Sequence, residues 1–129
     1  MRNTYRKHEH LKSRKTIQRL FSEGKSVAVH PVKLIYVEAE RPGTGPVQTA
    51  FTVPKRNFKR AVDRNRLKRL MREAFRQNKN LLYPVVEMRG KQLAIMFLFT
   101  GREEVTYSEI QRKIIVTLER LRNEYEASA

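Results

Sequence analysis

The side chains of this chain that could do chemistry are mainly cations, and they are concentrated in residues 55–76. This stretch holds ten Lys or Arg residues against two acids. Ammonium and guanidinium groups bind phosphate oxygens through charge-assisted hydrogen bonds, and Arg often makes two such bonds in parallel. The chemistry that these residues indicate is therefore recognition of a polyanion.

Residues suited to acid, base or metal chemistry are present, but no catalytic pair or cluster stands out among them. The sequence has a single aspartate, Asp63, whose place beside Arg64 suits capping of a helix or pairing with an arginine. A protein nuclease usually needs clustered carboxylates for a divalent metal, or groups placed for proton transfer. His8, His10 and His30 leave a three-histidine metal or general-base site as a minor alternative. We therefore predict no catalytic residue and no metal ligand in the chain.

A helix must position the cations, because apolar residues recur in the basic stretch at helical spacing. The predicted core-facing stripe consists of Leu67, Leu70, Met71, Ala74 and Phe75. The opposite side carries Asn65, Lys68, Arg69, Arg72 and Arg76, with Arg64 and Arg66 on its two shoulders. Like charges four residues apart cost about 0.2–0.5 kcal/mol per pair, and a bound polyanion would offset that cost. An ordinary solvated helix surface is the alternative interpretation.

The overall charge supports the same kind of partner. The chain has 129 residues, a formal net charge of +15 and no cysteine. The charge excess lies in the first 25 residues and in the basic helix, whereas residues 102–129 carry five bases and six acids. We expect a nucleic-acid partner before a membrane surface. The absence of cysteine and of a long apolar run fits a cytoplasmic protein without a membrane span.

The first half of the chain predicts a helix followed by strands. Ser13 can cap a helix that buries Ile17, Leu20 and Phe21 and stops at Gly24 as a C-terminal cap. The pattern becomes β-type from Ser26. Alternation from residue 32 to 37 and β-branched residues from 47 to 53 predict two of the strands, joined by a turn at residues 41–46. We expect these two strands to form an antiparallel pair.

The second half predicts a loop, a buried strand and a closing helix. Tyr83-Pro84 and Arg89-Gly90 indicate a loop region, and the apolar run 93–99 predicts a central strand covered on both faces. Thr106 and Glu109 have the spacing of a capping box that opens the last helix. The predicted order is αβββαβα around one sheet. Residues 1–12 are expected to be a flexible basic segment, 13–125 one nucleic-acid-binding domain and 126–129 a tail.

Residues 51–75 resemble the signature of the protein subunit of bacterial ribonuclease P. The centre of the resemblance is the RNR motif at Arg64, Asn65 and Arg66, followed by Lys68, Arg69 and Arg72 at the family spacing. Leu11, Phe21, Gly24 and Ser26 agree as well, and the likeness spans about residues 11–125. Several residue types at fixed spacing make this a specific signal.

The resemblance implies both a fold and an activity. The fold would be a small α/β (α+β) sandwich like the second domain of ribosomal protein S5, with a left-handed βαβ crossover through the basic helix, against the usual right-handed rule. The catalytic RNA subunit would remove the 5′ leader of precursor tRNA with Mg²⁺ bound by the RNA. The polypeptide alone would be inactive, and no obligate protein partner is expected.

The resemblance also implies roles for individual residues. The RNA subunit would be bound by Arg64, Asn65, Arg66, Lys68, Arg69, Arg72 and Arg76. The substrate and its leader would be contacted by Ile17, Phe21, Tyr36, Lys55 and Arg56, in a cleft between the first helix and the sheet. Family members often have Phe where this chain has Ile17, and a shift of one residue along the strand would place Ile35 in the cleft instead of Tyr36.

Two other classes of protein remain as alternatives at this stage. A basic ribosomal or RNA-assembly protein with no part in cleavage would share the composition. A protein-only nuclease would need acid and base groups that the sequence does not display. The motif favours the ribonuclease P subunit over both.

Overall fold

The computed structural model describes residues 5, 9–38 and 45–127, which form a four-stranded sheet with helices on both faces. The elements in chain order are α1 (Arg14–Glu23), β1 (Lys25–Val29), β2 (Val32–Glu38), β3 (Val47–Thr52), α2 (Ala61–Asn78), a 3₁₀ turn (Lys79–Leu81), α3 (Tyr83–Met88), β4 (Leu93–Phe99) and α4 (Tyr107–Ala127). The predicted order αβββαβα is confirmed, with the short α3 as an addition.

The strands lie in the order β1-β2-β4-β3, so β4 occupies a central position. Six of its seven residues are buried, which confirms the strand predicted to be covered on both faces. β2 runs antiparallel to β4, and β3 runs parallel to it. The predicted antiparallel pairing of β2 with β3 is wrong because β4 lies between them. The turn predicted at residues 41–46 falls mostly outside the described residues, and the left hand of the β3–α2–β4 crossover stays a prediction.

The alternation of side chains divides the core into two layers. On one face, residues such as Leu34, Ile95 and Phe97 pack with α2 and α4. On the other face, Ile35 and Met96 pack with α1. Successive side chains of a strand point to opposite faces, so neighbouring residues in β2 belong to different layers.

Both ends of α1 have clear physical causes. The backbone N–H of Thr16 donates to Oγ of Ser13 at 3.3 Å, which confirms the predicted cap. At the other end, Gly24 has a φ of −69° and does not adopt the left-handed conformation expected of a glycine cap. A Cβ at Gly24 would lie 2.4 Å from the carbonyl oxygen of Leu20 and 2.7 Å from Cγ2 of Ile35. Gly24 therefore permits the close approach of α1 to β2.

The region predicted as a loop around residue 84 instead contains α3. Pro84 lies in the first turn of this helix, where the missing N–H of proline costs nothing. Tyr83 and Val86 are buried against the main core. A helix of six residues is too short to show helical periodicity, so the proline suggested a loop.

Residues 1–12 were predicted to be flexible, but residues 9–11 of this segment are packed against the domain. The N–H of Leu11 donates to the carbonyl oxygen of Thr49 at 2.7 Å, and His10 forms a parallel bridge with Thr49. Glu9 is 3% exposed, and both of its carboxylate oxygens contact Nζ of Lys79, at 3.0 and 2.9 Å. The Tyr83 hydroxyl also donates to Glu9. The packing of this segment could not be predicted from sequence patterns, because its partners Thr49 and Lys79 are distant in the sequence.

The closing helix follows its predicted pattern. The N–H of Glu109 donates to Oγ1 of Thr106 at 3.2 Å, as the capping-box spacing predicts. The buried stripe of α4 includes Ile110, Ile114, Leu118, Leu121 and Tyr125. The helix extends through residue 127, so the predicted tail begins later than residue 126.

We expect Leu67→Ala to destabilise the fold by about 2–5 kcal/mol, because Leu67 is 0% exposed in the layer between α2 and the sheet. Leu70→Ala should cost less, since Leu70 is only partly buried. Arg69→Ala, at an exposed position of the same helix, should change the free energy of unfolding by no more than about 0.5 kcal/mol. Chemical denaturation of the three variants measures these differences. Equal losses for Leu67→Ala and Arg69→Ala would contradict the assignment of helix faces.

Candidate nucleic-acid interface

The basic side of α2 is set by the burial of its opposite stripe. Leu67, Met71, Ala74 and Phe75 are fully buried against the sheet. This burial turns the polar side of the helix outward, with Asn65 and Arg69 exposed and Lys68 partly exposed. The predicted polar face is therefore assembled on one rigid element.

The first arginine of the RNR motif has a structural partner. Nη1 of Arg64 donates to the carbonyl oxygens of Phe58 and Lys59, at 2.9 and 2.8 Å. These bonds fix the turn between β3 and α2, the same connection that carries the exposed residues Lys55 and Arg56. Arg64 therefore contributes order to the interface as well as charge.

Arg66 and Arg72 lie on opposite flanks of α2. Nη1 of Arg66 is 3.7 Å from Oε1 of Glu104, a weak and half-exposed ion pair. The guanidinium carbon of Arg72 lies 5.7 Å from the centroid of the Phe51 ring. Nη1 of Arg66 and Nε of Arg72 are buried without a hydrogen-bond partner among the described residues. Each guanidinium group therefore has one donor that no described residue satisfies by a hydrogen bond.

Arg76 differs from the other cations because it is paired within the helix. Its Nε donates to Oε2 of Glu73 at 3.0 Å, and Nη2 also contacts that carboxylate. Gln77 donates to the same carboxylate at 3.0 Å. The bonds from Arg76 and Gln77 lower the pKa of Glu73 to about 2. The polar face therefore contains one neutralised position near its C-terminal end.

Asp63, the only aspartate, makes a similar local pair. Its carboxylate lies 3.9 Å from Nε of Arg60, and it sits in the first turn of α2. Pairing with an arginine, one of the two predicted roles, is observed. The other predicted role is not observed, because the N-cap of α2 is Arg60 and has no side-chain cap bond.

The predicted leader cleft requires one correction in β2. Tyr36 was predicted to face α1, but it belongs to the opposite layer, where its hydroxyl donates to Oε2 of Glu124 at 3.1 Å. Burial, together with the bond to Glu124, raises the pKa of Tyr36 to about 12. Ile35 is the β2 residue on the α1 side. The strand pattern did not determine whether Ile35 or Tyr36 lies on the side of α1. In the structure it is Ile35.

The outer part of α1 offers an exposed ring beside that layer. Phe21 is 62% exposed, so the prediction that it is buried is wrong. Ile17, one turn earlier, is partly buried against Leu20 and Ile35. Residues four apart lie on one side of a helix, so Ile17 and Phe21 form a continuous apolar edge.

A group of residues beside Arg72 was not predicted from the sequence. The Tyr5 ring lies 4.3 Å from the His10 ring and 6.1 Å from the Phe51 ring, centroid to centroid. The pKa of His10 is lowered by burial, then by Arg72 and Lys12. The aromatic spacing near the N-terminus carries no period that could have revealed this group.

The described residues contain no set of three His, Cys, Asp or Glu side chains that could hold a metal ion. His8, one of the three histidines in the alternative metal or general-base site, lies outside the part of the chain that the structure describes. Among the described helices, none is long and apolar enough to cross a membrane.

Similar chains are found along almost the whole length of the sequence. The family model described as Ribonuclease P matches residues 5–122. The ribonuclease P protein component of Porphyromonas gingivalis is 34% identical over 123 residues, covering 95% of this chain and 90% of that protein. The corresponding protein of Chlorobium phaeobacteroides is 40% identical over 125 residues, covering 90% and 86%.

Solved structures agree with the fold. The RNase P protein of Staphylococcus aureus, at 22% identity, superposes with a TM-score of 0.71 over 89% of this chain and 96% of that one. The RNase P protein of Thermotoga maritima, at 25% identity, gives a TM-score of 0.68 over 87% and 96%.

We expect the carboxyl group of Glu73 to titrate at about 2 in the folded chain, compared with an ordinary value of 4.5. Because the folded-state pKa is lowered, this group stabilises the fold above about pH 4.5, and that contribution is lost as the pH falls toward 2. Carboxyl-detected NMR measures the titration directly.

Arg76→Gln should move the pKa of Glu73 back toward its ordinary value, while Arg69→Gln should leave it unchanged. The two variants remove the same charge from the same helix, and only Arg76 hydrogen-bonds to Glu73. Titration of Glu73 above pH 4 in the unmodified chain would contradict the pairing.

Proposed function

The chain belongs to the ribonuclease P protein family, and we propose that α2 binds the RNA subunit while the edge of α1 binds the 5′ leader of precursor tRNA. As a member of this family it is a tRNA-processing subunit of ribonuclease P and a partner of the RNA subunit. Each of the two surfaces rests on a separate observation.

The outward polar face of α2 supports the site for the RNA subunit. Its proposed contacts are Arg64, Asn65, Arg66, Lys68, Arg69, Arg72 and Arg76. Phosphate contacts from Lys and Arg release counterions and supply most of the affinity of such interfaces. Asn65 and Arg69 are exposed, and Arg66 and Arg72 each have one donor without a hydrogen-bond partner among the described residues. Arg76 ranks lower in the free protein because Glu73 neutralises it.

The exposed ring on α1 supports the leader site. A single-stranded base stacks on an aromatic side chain with about 1–3 kcal/mol and little sequence preference. Phe21 supplies such a ring, and Ile17 and Ile35 supply apolar surface next to it. Lys55 and Arg56, both exposed after β3, are proposed to contact the backbone of the substrate. Tyr36 is withdrawn from the site because it faces α4.

We propose that the RNA subunit performs the cleavage and binds the Mg²⁺ that the reaction requires. Mg²⁺ prefers carboxylate and phosphate oxygens, and the interface of this chain presents guanidinium and ammonium groups instead. These cationic residues would repel a metal ion. They would also screen the negative charges of the RNA subunit and the precursor tRNA, which repel each other when the two molecules come together. The protein's contribution is therefore substrate affinity and charge neutralisation.

Reconstitution tests the division of labour. Purified protein should leave precursor tRNA intact at any Mg²⁺ concentration, and cleavage at the 5′ end should appear when the RNA subunit is added. Adding the protein should also lower the Mg²⁺ concentration that the RNA subunit needs. Cleavage of precursor tRNA by the protein alone would overturn the proposal.

Phe21→Leu should weaken binding of leader-bearing precursor tRNA to the holoenzyme, because it keeps apolar bulk but removes the stacking surface. The loss should be about 1–3 kcal/mol, and binding of mature tRNA should be unchanged. Dissociation constants for the two substrates measure the difference.

Tyr36→Phe is the matched control, since Tyr36 lies on the opposite face of the sheet. It should change neither dissociation constant, although it removes the bond to Glu124. An equal loss for precursor and mature tRNA with Phe21→Leu would show that the ring does not contact the leader.

A further inference from the structure

A cluster of aromatic and basic side chains lies where the N-terminal segment meets α2. The rings of Tyr5 and His10 are 4.3 Å apart at an interplanar angle of 52°. The Phe51 ring meets the Tyr5 ring edge-on at 6.1 Å, and the Arg72 guanidinium lies over Phe51. All four side chains are partly exposed. The cluster therefore brings aromatic rings and cations together at a partly exposed part of the surface.

His10 is held in this cluster by anchors on either side of it in the chain. Before it, the Glu9 carboxylate is buried against Lys79 and Tyr83. After it, the Leu11 N–H is bonded to Thr49. The Tyr5 hydroxyl also makes hydrogen bonds with Thr49. The position of the imidazole is thus fixed by contacts that do not involve its own ring.

The charges around His10 are mostly positive. Arg72 faces it from α2, and Lys12 and Glu9 face it from its own segment. The Glu9 carboxylate is already neutralised by Lys79. Burial and the two cations hold the pKa of His10 below its ordinary value. Nε of Arg72 is buried and has no hydrogen-bond partner among the described residues. A phosphate beside the Arg72 guanidinium would offset the positive charge that disfavours the His10 imidazolium.

We propose that Tyr5, His10 and Arg72 form a second RNA contact, which binds one single-stranded nucleotide by base stacking and by its phosphate. The inference rests on the proposed function and extends the RNA-binding surface from α2 onto the N-terminal segment. An aromatic platform beside cations is the arrangement that binds single-stranded nucleic acid. A phosphate is the anion that suits an arginine and an imidazolium together.

Binding at this site is linked to protonation of His10. The free protein disfavours the imidazolium, and a bound phosphate favours it, so the pKa of His10 rises when RNA binds. RNA affinity should then be stronger at pH 6 than at pH 8, and the gain should be lost as the pH rises through the bound-state pKa. A rise of one pKa unit gives up to about a tenfold change in affinity.

The test compares the full chain with His10→Gln and with His30→Gln as a matched control. His30 is an exposed histidine in the turn between β1 and β2. Dissociation constants for the RNA subunit, and for precursor and mature tRNA on the holoenzyme, are measured at pH 6 and pH 8. His10→Gln should bind RNA about threefold to tenfold more weakly than the unmodified chain at pH 6, and the difference should be much smaller at pH 8. His30→Gln should behave as the unmodified chain, and thermal melts should confirm that both variants fold.

The three RNA ligands identify the source of the nucleotide. Weaker binding of the RNA subunit by His10→Gln places a strand of that subunit on the cluster. Weaker binding of precursor but not of mature tRNA places the leader there. Either result supports the contact, and unchanged affinity of His10→Gln for all three ligands at pH 6 overturns it. Arg69→Ala tests the proposed function separately: if it weakens binding of the RNA subunit and His10→Gln changes nothing, only the second contact is wrong.

Discussion

Burial of one stripe of α2 against the sheet is the interaction on which the rest of the structure depends. The helix carries like charges at successive turns, and in isolation their repulsion would oppose its formation. Packing of Leu67, Met71 and Phe75 supplies more free energy than that repulsion removes, since each fully buried side chain contributes about 1.5–3 kcal/mol. The backbone that carries the cations is therefore ordered before RNA binds, which lowers the entropy cost of binding.

The central strand β4 connects the two layers of the core. Because its side chains are buried on both faces, it ties the layer beneath α2 to the layer beneath α1. The two proposed RNA surfaces therefore belong to one rigid body, although they lie on different elements. The proposed function, in which the RNA subunit and the precursor tRNA are held side by side, makes use of such a fixed relation between the two surfaces.

Local patterns predicted the elements well, and long-range contacts were the main source of error. The stripe of α2, the buried run of β4 and the capping box of α4 are each decided by neighbours within a few residues, and all are confirmed. The predicted pairing of β2 with β3 was wrong, because the order of strands in the sequence does not reveal that β4 lies between them in the sheet. The face of Tyr36 depends on a shift of one residue, and the packing of Glu9 depends on Lys79, 70 positions away. The RNR motif indicated which residues to consider but not that Glu73 neutralises Arg76.

The buried Glu9–Lys79 pair also sets how this sequence can change. Replacing either residue alone leaves a charge in the core without its partner, which typically costs about 3–5 kcal/mol. Replacing both by apolar residues of similar volume is often neutral. Tyr83 belongs to the same unit because its hydroxyl would lose its acceptor if Glu9 were replaced. We therefore expect positions 9, 79 and 83 to be inherited and exchanged together, so that in related chains the residue at one of them indicates those at the other two.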